Sequence, residues 1–261
     1  MEVLGRVTDR NLFSARDLTK KEFNMVLPDV NGALEEAEQV LKQCFKQYEL
    51  DEVFLSFNGG KDCTVLLDIV INVLKEIYRK DTIASELKVM YIRTGETFNA
   101  IERFVENIED NYGIKMIVAE GDLKTALDHL LTKDPKIKAC LMGTRRTDPY
   151  CENLKFIQAT DPGWPQIMRV SPLLNWSYHQ IWSYILQQNV PYCLLYERGY
   201  TSIGSMHNTQ PNPTLAFVDP NGRTTYLPAW QLKDGSLERA GRNTALTAIN
   251  GHNDHREEHE V

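Results

Sequence analysis

The chain has 261 residues, 42% of them apolar, which is enough for one large domain or two small ones with a substantial core. Its formal net charge of −7 disfavours a partner that is recognised through a nucleic-acid backbone. No stretch approaches the roughly 20 consecutive apolar residues of a membrane-spanning helix, and residues 1–21 lack the apolar core of a signal peptide. We therefore expect a cytoplasmic protein without nucleic-acid or membrane partners, and a monomer is compatible with the sequence.

The cysteines argue against both a disulfide framework and a zinc site, because they lie far apart and form no C-x-x-C pair. They are expected to be reduced thiols. The five positions are Cys44, Cys63, Cys140, Cys151 and Cys193.

The first predicted elements flank a pair of glycines. Apolar residues recur at three- and four-residue steps from Leu34 to Tyr48, which predicts an amphipathic helix. Val53–Phe57 is typical of a buried strand, and the chain after Gly59 and Gly60 is apolar around most of a helical circumference. This segment therefore predicts a strand, a tight loop and a buried helix.

Strands and helices continue to alternate up to residue 142. Further strands are predicted over Lys88–Ile92, Lys115–Ala119 and Lys138–Met142, with a helix that Gly113 ends and another over Leu123–Leu131. This alternation predicts an α/β fold with a mainly parallel open sheet and helices on both faces.

The carboxyl ends of parallel strands meet at one edge of a sheet, where ligands bind. Three loops follow predicted strands and should converge on one cleft. They are Ser56–Asp62, Arg93–Glu96 and Gly143–Asp148.

Beyond residue 160 the pattern loosens into a proline-rich region with one predicted helix, Ser177–Gln188, which Ser177 would cap. We predict an α/β nucleotide-binding core with N-terminal helices over residues 1–160. Residues 161–250 would form a substrate-binding or lid appendage packed on the core, and residues 251–261 a flexible tail.

The loop from Asn58 to Asp62 carries the strongest chemical signal. Its glycines permit a sharp turn and close approach of a ligand, while N–H groups at the helix start favour a pyrophosphate. The glycine spacing is not that of a Walker A loop. An ordinary tight turn is the alternative, but chance glycines rarely bring Lys61 and Asp62 with them.

Each polar group of this loop has a predicted role. Lys61 would offset phosphate charge, Asp62 would ligate Mg²⁺, and the Asn58 amide would hydrogen-bond a phosphate oxygen. The predicted ATP-binding residues in and beside the loop are Ser56, Phe57, Gly59, Gly60, Lys61, Cys63 and Thr64.

A second charged turn follows the strand at Lys138–Met142. Arg145 and Arg146 could bind phosphate as guanidinium forks, and Asp148 could accept hydrogen bonds from a ligand or an arginine. A solvated turn that Asp148 and Pro149 initiate is the alternative.

Two later stretches are weaker signals. The aromatics between residues 170 and 204 are more often core or lid packing than ligand stacking. Arg239 and Arg242 share a face if their segment is helical, but an exposed basic turn explains them equally well.

Read together, these stretches resemble a known family. The order GGKD, YIRTGE, GTRRTDP, PLLNWSYHQIWSYI and PYCLLYERGYTSIG is similar to the phosphoadenylyl-sulfate reductase branch of the ATP pyrophosphatases, and most closely to the fungal-type FAD synthases. The match covers most of residues 50–245. A reductase of this branch needs a cysteine in a Glu-Cys-Gly context near the C-terminus, whereas the last cysteine here is Cys193 in Tyr-Cys-Leu.

The resemblance implies FMN adenylyltransferase activity: MgATP and FMN give FAD and pyrophosphate by direct in-line attack of the FMN phosphate. A reductase-like oxidoreductase, a tRNA-modifying ATP pyrophosphatase and a nucleotide-binding module without catalysis are the alternatives. An acidic chain without clearly metal-binding cysteines disfavours the tRNA enzyme, and the presence of both Lys61 and Asp62 disfavours the inactive module.

The resemblance also assigns residues. Backbone near Ile92 and Arg93 would hold adenine. The catalytic candidates are Asn58, Asp62, Asp148, Arg239 and Arg242. The flavin-binding candidates are Gly143, Arg145, Arg146, Thr147, Asp148, Trp176 and Arg242.

Overall fold

A computed structural model describes residues 28–93 and 96–243 of the chain. The predicted tail, the N-terminal segment up to residue 27 and the loop residues Thr94 and Gly95 lie outside the described residues.

A six-stranded sheet organises the fold, in the order β3-β2-β1-β4-β6-β5. Every pairing is parallel except that of β5 with β6. The strands are β1 (Val53–Phe57), β2 (Lys88–Arg93), β3 (Met116–Glu120), β4 (Ala139–Leu141), β5 (Ile157–Ala159) and β6 (Met168–Val170). The mainly parallel α/β fold is therefore confirmed.

Five α-helices flank this sheet within the described residues. They are α1 (Asn31–Gln47), α2 (Lys61–Tyr78), α3 (Asn99–Tyr112), α4 (Leu123–Lys133) and α5 (Tyr178–Gln188). Gly113 ends α3 in the left-handed conformation, with φ of 64°, and the Ser177 side chain caps α5, as the sequence predicts.

The helices form two unequal layers. Val53, Leu55 and Phe57 of β1 face a large core that includes residues of α1, α2, α3 and α5. Phe54 faces a smaller core, which α4 closes together with Ile167. Because successive side chains of a strand point to opposite faces, β1 contributes to both cores. The single helix on the second face leaves space there beside the sheet.

The sheet crosses the predicted division at residue 160. Strand β6 follows that boundary, yet it pairs with β4 in the centre of the sheet, and β5 before the boundary lies outside it at the edge. The sequence missed both strands because each has only three residues. The division into core and appendage remains a prediction.

The C-terminal half is mostly turns. It carries the hairpin of β7 (Ala216–Val218) and β8 (Thr224–Tyr226) and several short 3₁₀ turns. Among the described residues, no helix combines the length and hydropathy that crossing a bilayer would require.

Candidate active site

The loop between β1 and α2 is fixed by its own side chains. Asn58 Oδ1 accepts a hydrogen bond from the Gly60 N–H at 2.9 Å and one from the Cys63 thiol at 2.9 Å. Gly59 has a φ of 74°, a backbone conformation that favours glycine. The Cys63 sulfur also accepts the Asn58 N–H at 3.4 Å. These contacts hold the turn open above the helix start before any ligand binds.

Gly143 brings the second predicted loop against the first. A Cβ atom at this position would lie 2.9 Å from the Cys63 nitrogen and 3.0 Å from the Asp62 carbonyl carbon. Both are backbone atoms that cannot move aside cheaply. Glycine is therefore required where the chain leaving β4 touches the first turn of α2.

Five charged side chains meet beneath these loops. Lys61 Nζ lies 3.0 Å from Asp62 Oδ2, and Arg145 Nε lies 2.9 Å from Asp62 Oδ1. Glu238 bridges both cations: one oxygen accepts from Lys61 Nζ, and the other lies 2.6 Å from Arg145 Nη2. Asp148 completes the cluster by accepting the Arg145 main-chain N–H at 2.9 Å.

The cations of this cluster are buried, whereas two of its carboxylates reach solvent. The side chains of Lys61 and Arg145 are 2% and 1% exposed, those of Asp62 and Asp148 22% and 30%. The Tyr178 ring lies 5.3 Å from Lys61 Nζ, and the Tyr196 hydroxyl accepts the Lys61 main-chain N–H at 2.8 Å.

The surroundings shift the pKa values of the two carboxylates Asp62 and Asp148 in opposite directions. Burial raises the pKa of Asp62, but the charges of Lys61 and Arg145 outweigh burial and leave that pKa below its usual range. Burial raises the pKa of Asp148, and the hydrogen bond and charge of Arg145 offset this only partly. Asp62 is therefore the stronger acid of the two.

The C-terminal segment reaches the cluster through buried polar contacts. Thr201 Oγ1 donates to the Glu238 main-chain oxygen at 2.6 Å. Asn212, which is fully buried, donates to Thr201 Oγ1 at 2.9 Å and to the Leu237 oxygen at 2.8 Å. These contacts fix the turn that ends in Arg239 and Arg242.

The two arginines differ in their surroundings. Arg239 is exposed, whereas Arg242 is partly buried and its guanidinium lies over Gly204 and 3.3 Å from Ser202 Oγ. Burial lowers the pKa of Arg242, and the nearby charge of Arg239 lowers it further. The predicted pairing of these arginines at one place agrees with this geometry, although a turn rather than a helix brings them together.

A cavity of about 180 Å³ opens on the sheet face that α4 covers. Ser56, which the sequence assigns to ATP, and Met142 line it where β1 and β4 end. Arg169 lines it too and holds Asp161 through two contacts of 3.1 Å, while its buried Nε has no hydrogen bond among the described residues. The indole of Trp164 forms another part of the wall.

Two side chains that were predicted to contact a ligand contact other parts of the protein instead. Trp176 is 1% exposed, donates its indole N–H to the Ala33 oxygen and packs on Tyr184, so it is not available to a flavin. Arg146 donates to Asn175 Oδ1 and to the Glu152 and Leu154 carbonyls. Its guanidinium is used to shape the loop, not as a free phosphate fork.

Other predicted ATP ligands have side chains that are buried or bonded within the protein. Phe57 is in the core and Thr64 donates its hydroxyl to the Gly60 oxygen at 2.8 Å. Ile92 is buried in the smaller core, and Arg93 pairs with Glu102 at 2.7 Å on α3. Ligand contacts of Phe57 and Ile92 would have to use their main chains, as predicted for Ile92, whereas the paired Arg93 side chain is 40% exposed. Thr147 is exposed.

Sequence reasoning missed Glu238, Trp164, Asp161 and Arg169. Glu238 stands directly before a predicted arginine, but no local pattern distinguishes a buried carboxylate from an exposed one. The other three follow no predicted strand. A proline-rich stretch that contains tryptophan was the only available signal.

The phosphoadenosine phosphosulfate reductase domain family matches the chain over residues 52–135 and 123–211. A relative from Schizosaccharomyces pombe, named probable FAD synthase, is 40% identical over 208 residues, which cover 79% of this chain and 77% of the relative. The chain belongs to the FAD synthase family. A probable FAD synthase from Caenorhabditis elegans is 39% identical over 240 residues, 92% of this chain but 45% of that longer relative.

A solved member of the family has the same fold. It is the FMN adenylyltransferase of Candida glabrata in complex with FMN and the ATP analogue AMPCPP, at 30% identity and a TM-score of 0.78, with coverage of 90% of this chain and 94% of that one.

Proposed function

We propose that this FAD synthase family member is an FMN adenylyltransferase, which transfers AMP from ATP to FMN and releases pyrophosphate. The single observation that carries the proposal is the convergence of the Asn58–Asp62 loop, Asp148 and Glu238, which directly precedes Arg239, on one cluster. The C. glabrata FMN adenylyltransferase, with its bound FMN and ATP analogue, supports the same assignment.

The reaction needs positioning more than acid–base chemistry. An oxygen of the FMN phosphate attacks the α-phosphorus of ATP, a new P–O bond forms, and the bond from that phosphorus to the bridging oxygen of the β-phosphate breaks. Because phosphate is already anionic at neutral pH, no side chain has to remove a proton. The main task is to hold two anions together against their repulsion.

The residues of the cleft suit this task. The Asn58 side chain uses its oxygen to fix the loop, and within the described residues its Nδ2 group makes no hydrogen bond, so it can donate to a phosphate oxygen. Arg239 and Arg242 would offset the charge that develops on the leaving pyrophosphate.

Two carboxylates fit a Mg²⁺ ion that is bound together with ATP. The side chains of Asp62 and Asp148 are partly exposed, and an ion would have to meet Asp62 through Oδ2, because Oδ1 is buried 2.9 Å from Arg145 Nε. Mg²⁺ takes one or two carboxylates alongside phosphate oxygens and water, so this donor set suffices. When bound, the ion would neutralise phosphate charge.

The cavity beside Ser56 suits the isoalloxazine ring. Its walls are mainly apolar, and the unpaired Arg169 Nε is a buried donor that a flavin carbonyl could satisfy. We assign this cavity to the flavin on these grounds, and adenine is the alternative, because Met90 of β2 also lines the cavity. Five free thiols agree with the predicted cytoplasmic location, which remains a prediction.

The decisive assay mixes the purified protein with MgATP and FMN and follows FAD and pyrophosphate by chromatography. We expect equal amounts of both products. ATP binding without FAD formation would refute the proposal.

A variant tests the flavin cavity. Trp164→Ala is expected to raise KM for FMN up to about tenfold and to leave KM for ATP within about twofold, since loss of a ring–ring contact costs roughly 0.5–1.5 kcal/mol. The reverse pattern would place adenine in the cavity.

A further inference from the structure

The buried lysine and arginine at the floor of the site have no surface that a substrate can touch. Lys61 is 2% and Arg145 is 1% exposed, although Lys61 stands in the phosphate loop and Arg145 follows Gly143. Two Arg145 nitrogens, Nε and Nη1, have no hydrogen bond among the described residues, although Nε lies 2.9 Å from Asp62 Oδ1, and both atoms are buried as well. A phosphate could reach either cation only if the cluster came apart.

Glu238 explains why these cations are buried. One carboxylate oxygen contacts Lys61 and the other contacts Arg145, and the Glu238 side chain is itself only 11% exposed. A buried charge is costly unless it is paired, so each of the three groups depends on the others. The contact joins the first turn of α2 to a residue 177 positions later in the chain.

We propose that Glu238, Lys61 and Arg145 form a brace that positions the catalytic groups and that neither cation is a phosphate ligand. The brace sets the Asn58–Asp62 loop and the Arg239–Arg242 turn at a fixed separation, because Glu238 directly precedes Arg239. It also presents Asp62 to the cleft, since Lys61 and Arg145 hold one Asp62 oxygen each. This inference rests on the proposed function and names positioning residues for that reaction.

A charge-balanced pair of substitutions shows whether Lys61 belongs to the brace or binds phosphate. Lys61→Met leaves an extra negative charge in the cluster, and Glu238→Gln leaves an extra positive one, whereas the double variant keeps the original balance. The matched control is the same cycle on the surface pair of Lys42 and Glu76, whose side chains are 42% and 62% exposed.

The variants are compared by kcat for FAD formation at saturating substrates, by the dissociation constant for MgATP from calorimetry, and by Tm. We expect each single variant to lose at least about tenfold in kcat and the double variant to recover to within about threefold of the wild type, as coupled neighbours do. The MgATP dissociation constant should change less than about threefold throughout, because Lys61 does not touch the phosphates. The Lys42 and Glu76 cycle should show no coupling.

Two results would overturn the brace. The first is a Lys61→Met variant that binds MgATP at least about tenfold more weakly and is not rescued by Glu238→Gln, which would make Lys61 a phosphate ligand. The second is a fall in Tm with unchanged kcat, which would make the cluster purely structural. Wild-type protein that forms no FAD would instead refute the proposed function, and the brace would then be decided by the calorimetric and Tm cycles.

If Glu238→Gln does not fold, two milder substitutions at Thr201 test the same proposal. Thr201 holds the Glu238 main chain through its hydroxyl. Thr201→Val should lower kcat several-fold, and Thr201→Ser, which keeps the hydroxyl, should restore it. Equal kcat for the two variants would count against the brace.

Discussion

The two walls of the cleft are held by contacts of very different range. At the turn of Asn58, the hydrogen bonds of Asn58 and of the Cys63 thiol join residues no more than five positions apart, and Lys61 at the end of the loop adds contacts to the distant residues Tyr196 and Glu238. In the opposite wall, Asn212 bonds to Thr201 and Leu237, and Thr201 to Glu238, across 11, 25 and 37 positions. The turn at Asn58 is therefore a local structure with a chemical task. The opposite wall is a set of turns that exists only when distant residues meet.

The largest expected effect lies in the local wall. Asp62→Ala should lower kcat by at least about a thousandfold, since it removes the proposed metal ligand and leaves two buried cations without one of their partners. The exposed residue Asp128 on α4 provides the control, because Asp128→Ala should keep wild-type turnover. FAD formation by the Asp62 variant at a wild-type rate would show that the metal assignment is wrong.

In the opposite wall, the main expected effect of a substitution is a lower free energy of unfolding. Asn212→Ala removes a fully buried amide that makes four hydrogen bonds, to Thr201, Leu237 and twice to Thr214. Unsatisfied partners left in the interior should lower the free energy of unfolding by about 2–4 kcal/mol, as measured by urea denaturation. Asn221→Ala at the exposed hairpin turn should change it by less than about 0.5 kcal/mol. Similar values for the two variants would mean that the polar contacts do not hold this wall.

A smaller effect is expected where a glycine makes room for an arginine. A Cβ at Gly204 would lie 2.1 Å from Arg242 Nη2, the end of a flexible side chain that can move aside. Gly204→Ala should therefore displace the Arg242 guanidinium and lower kcat about tenfold, which corresponds to the loss of one charge-assisted contact of roughly 1.4 kcal/mol. Tm should be nearly unchanged. Gly32→Ala, whose Cβ meets nothing within 4 Å, is the control. An unaltered kcat would remove Arg242 from the catalytic groups.

The smallest expected effect is the pH dependence of Tm, which should differ between variants of the two carboxylates Asp148 and Asp62. The pKa of Asp148 is raised in the folded protein, so its ionised form costs stability at neutral pH, and this cost disappears as the pH falls through the folded pKa toward the unfolded one. Asp148→Asn should thus raise Tm slightly at pH 7 and not at pH 3, while it lowers activity. A lower Tm at pH 7 would contradict this sign.

Asp62 should behave in the opposite way. Because its folded pKa is lowered, its ionised form adds stability above the unfolded pKa, and that contribution is lost as the pH falls through the folded value. Asp62→Asn should therefore lower Tm at pH 7 and have progressively less effect in acid.

The same difference in range decided what the sequence could predict. Local patterns predict the Asn58–Asp62 loop and the helices and strands next to it in the chain. The geometry of parallel sheets predicts that this loop meets the loop of Gly143. Glu238 could not be recognised, because its burial depends on Lys61 and Arg145. Trp176 was assigned to the flavin because a tryptophan in a motif looks the same in the core as at a ligand. Trp164, the proposed flavin contact, follows no predicted strand, so its position gave no signal.

The position of Glu238 has a consequence for biosynthesis. Domains are made from the N-terminus onward, so the loop motif at Asn58 is synthesised long before the carboxylate that balances Lys61. A chain interrupted after Arg145 and before Glu238 would contain the whole recognisable ATP motif, and Lys61 and Arg145 would each lack one carboxylate partner. The ribosome thus supplies this partner 177 residues after Lys61, and chains that stop between the two are expected to be both inactive and unstable.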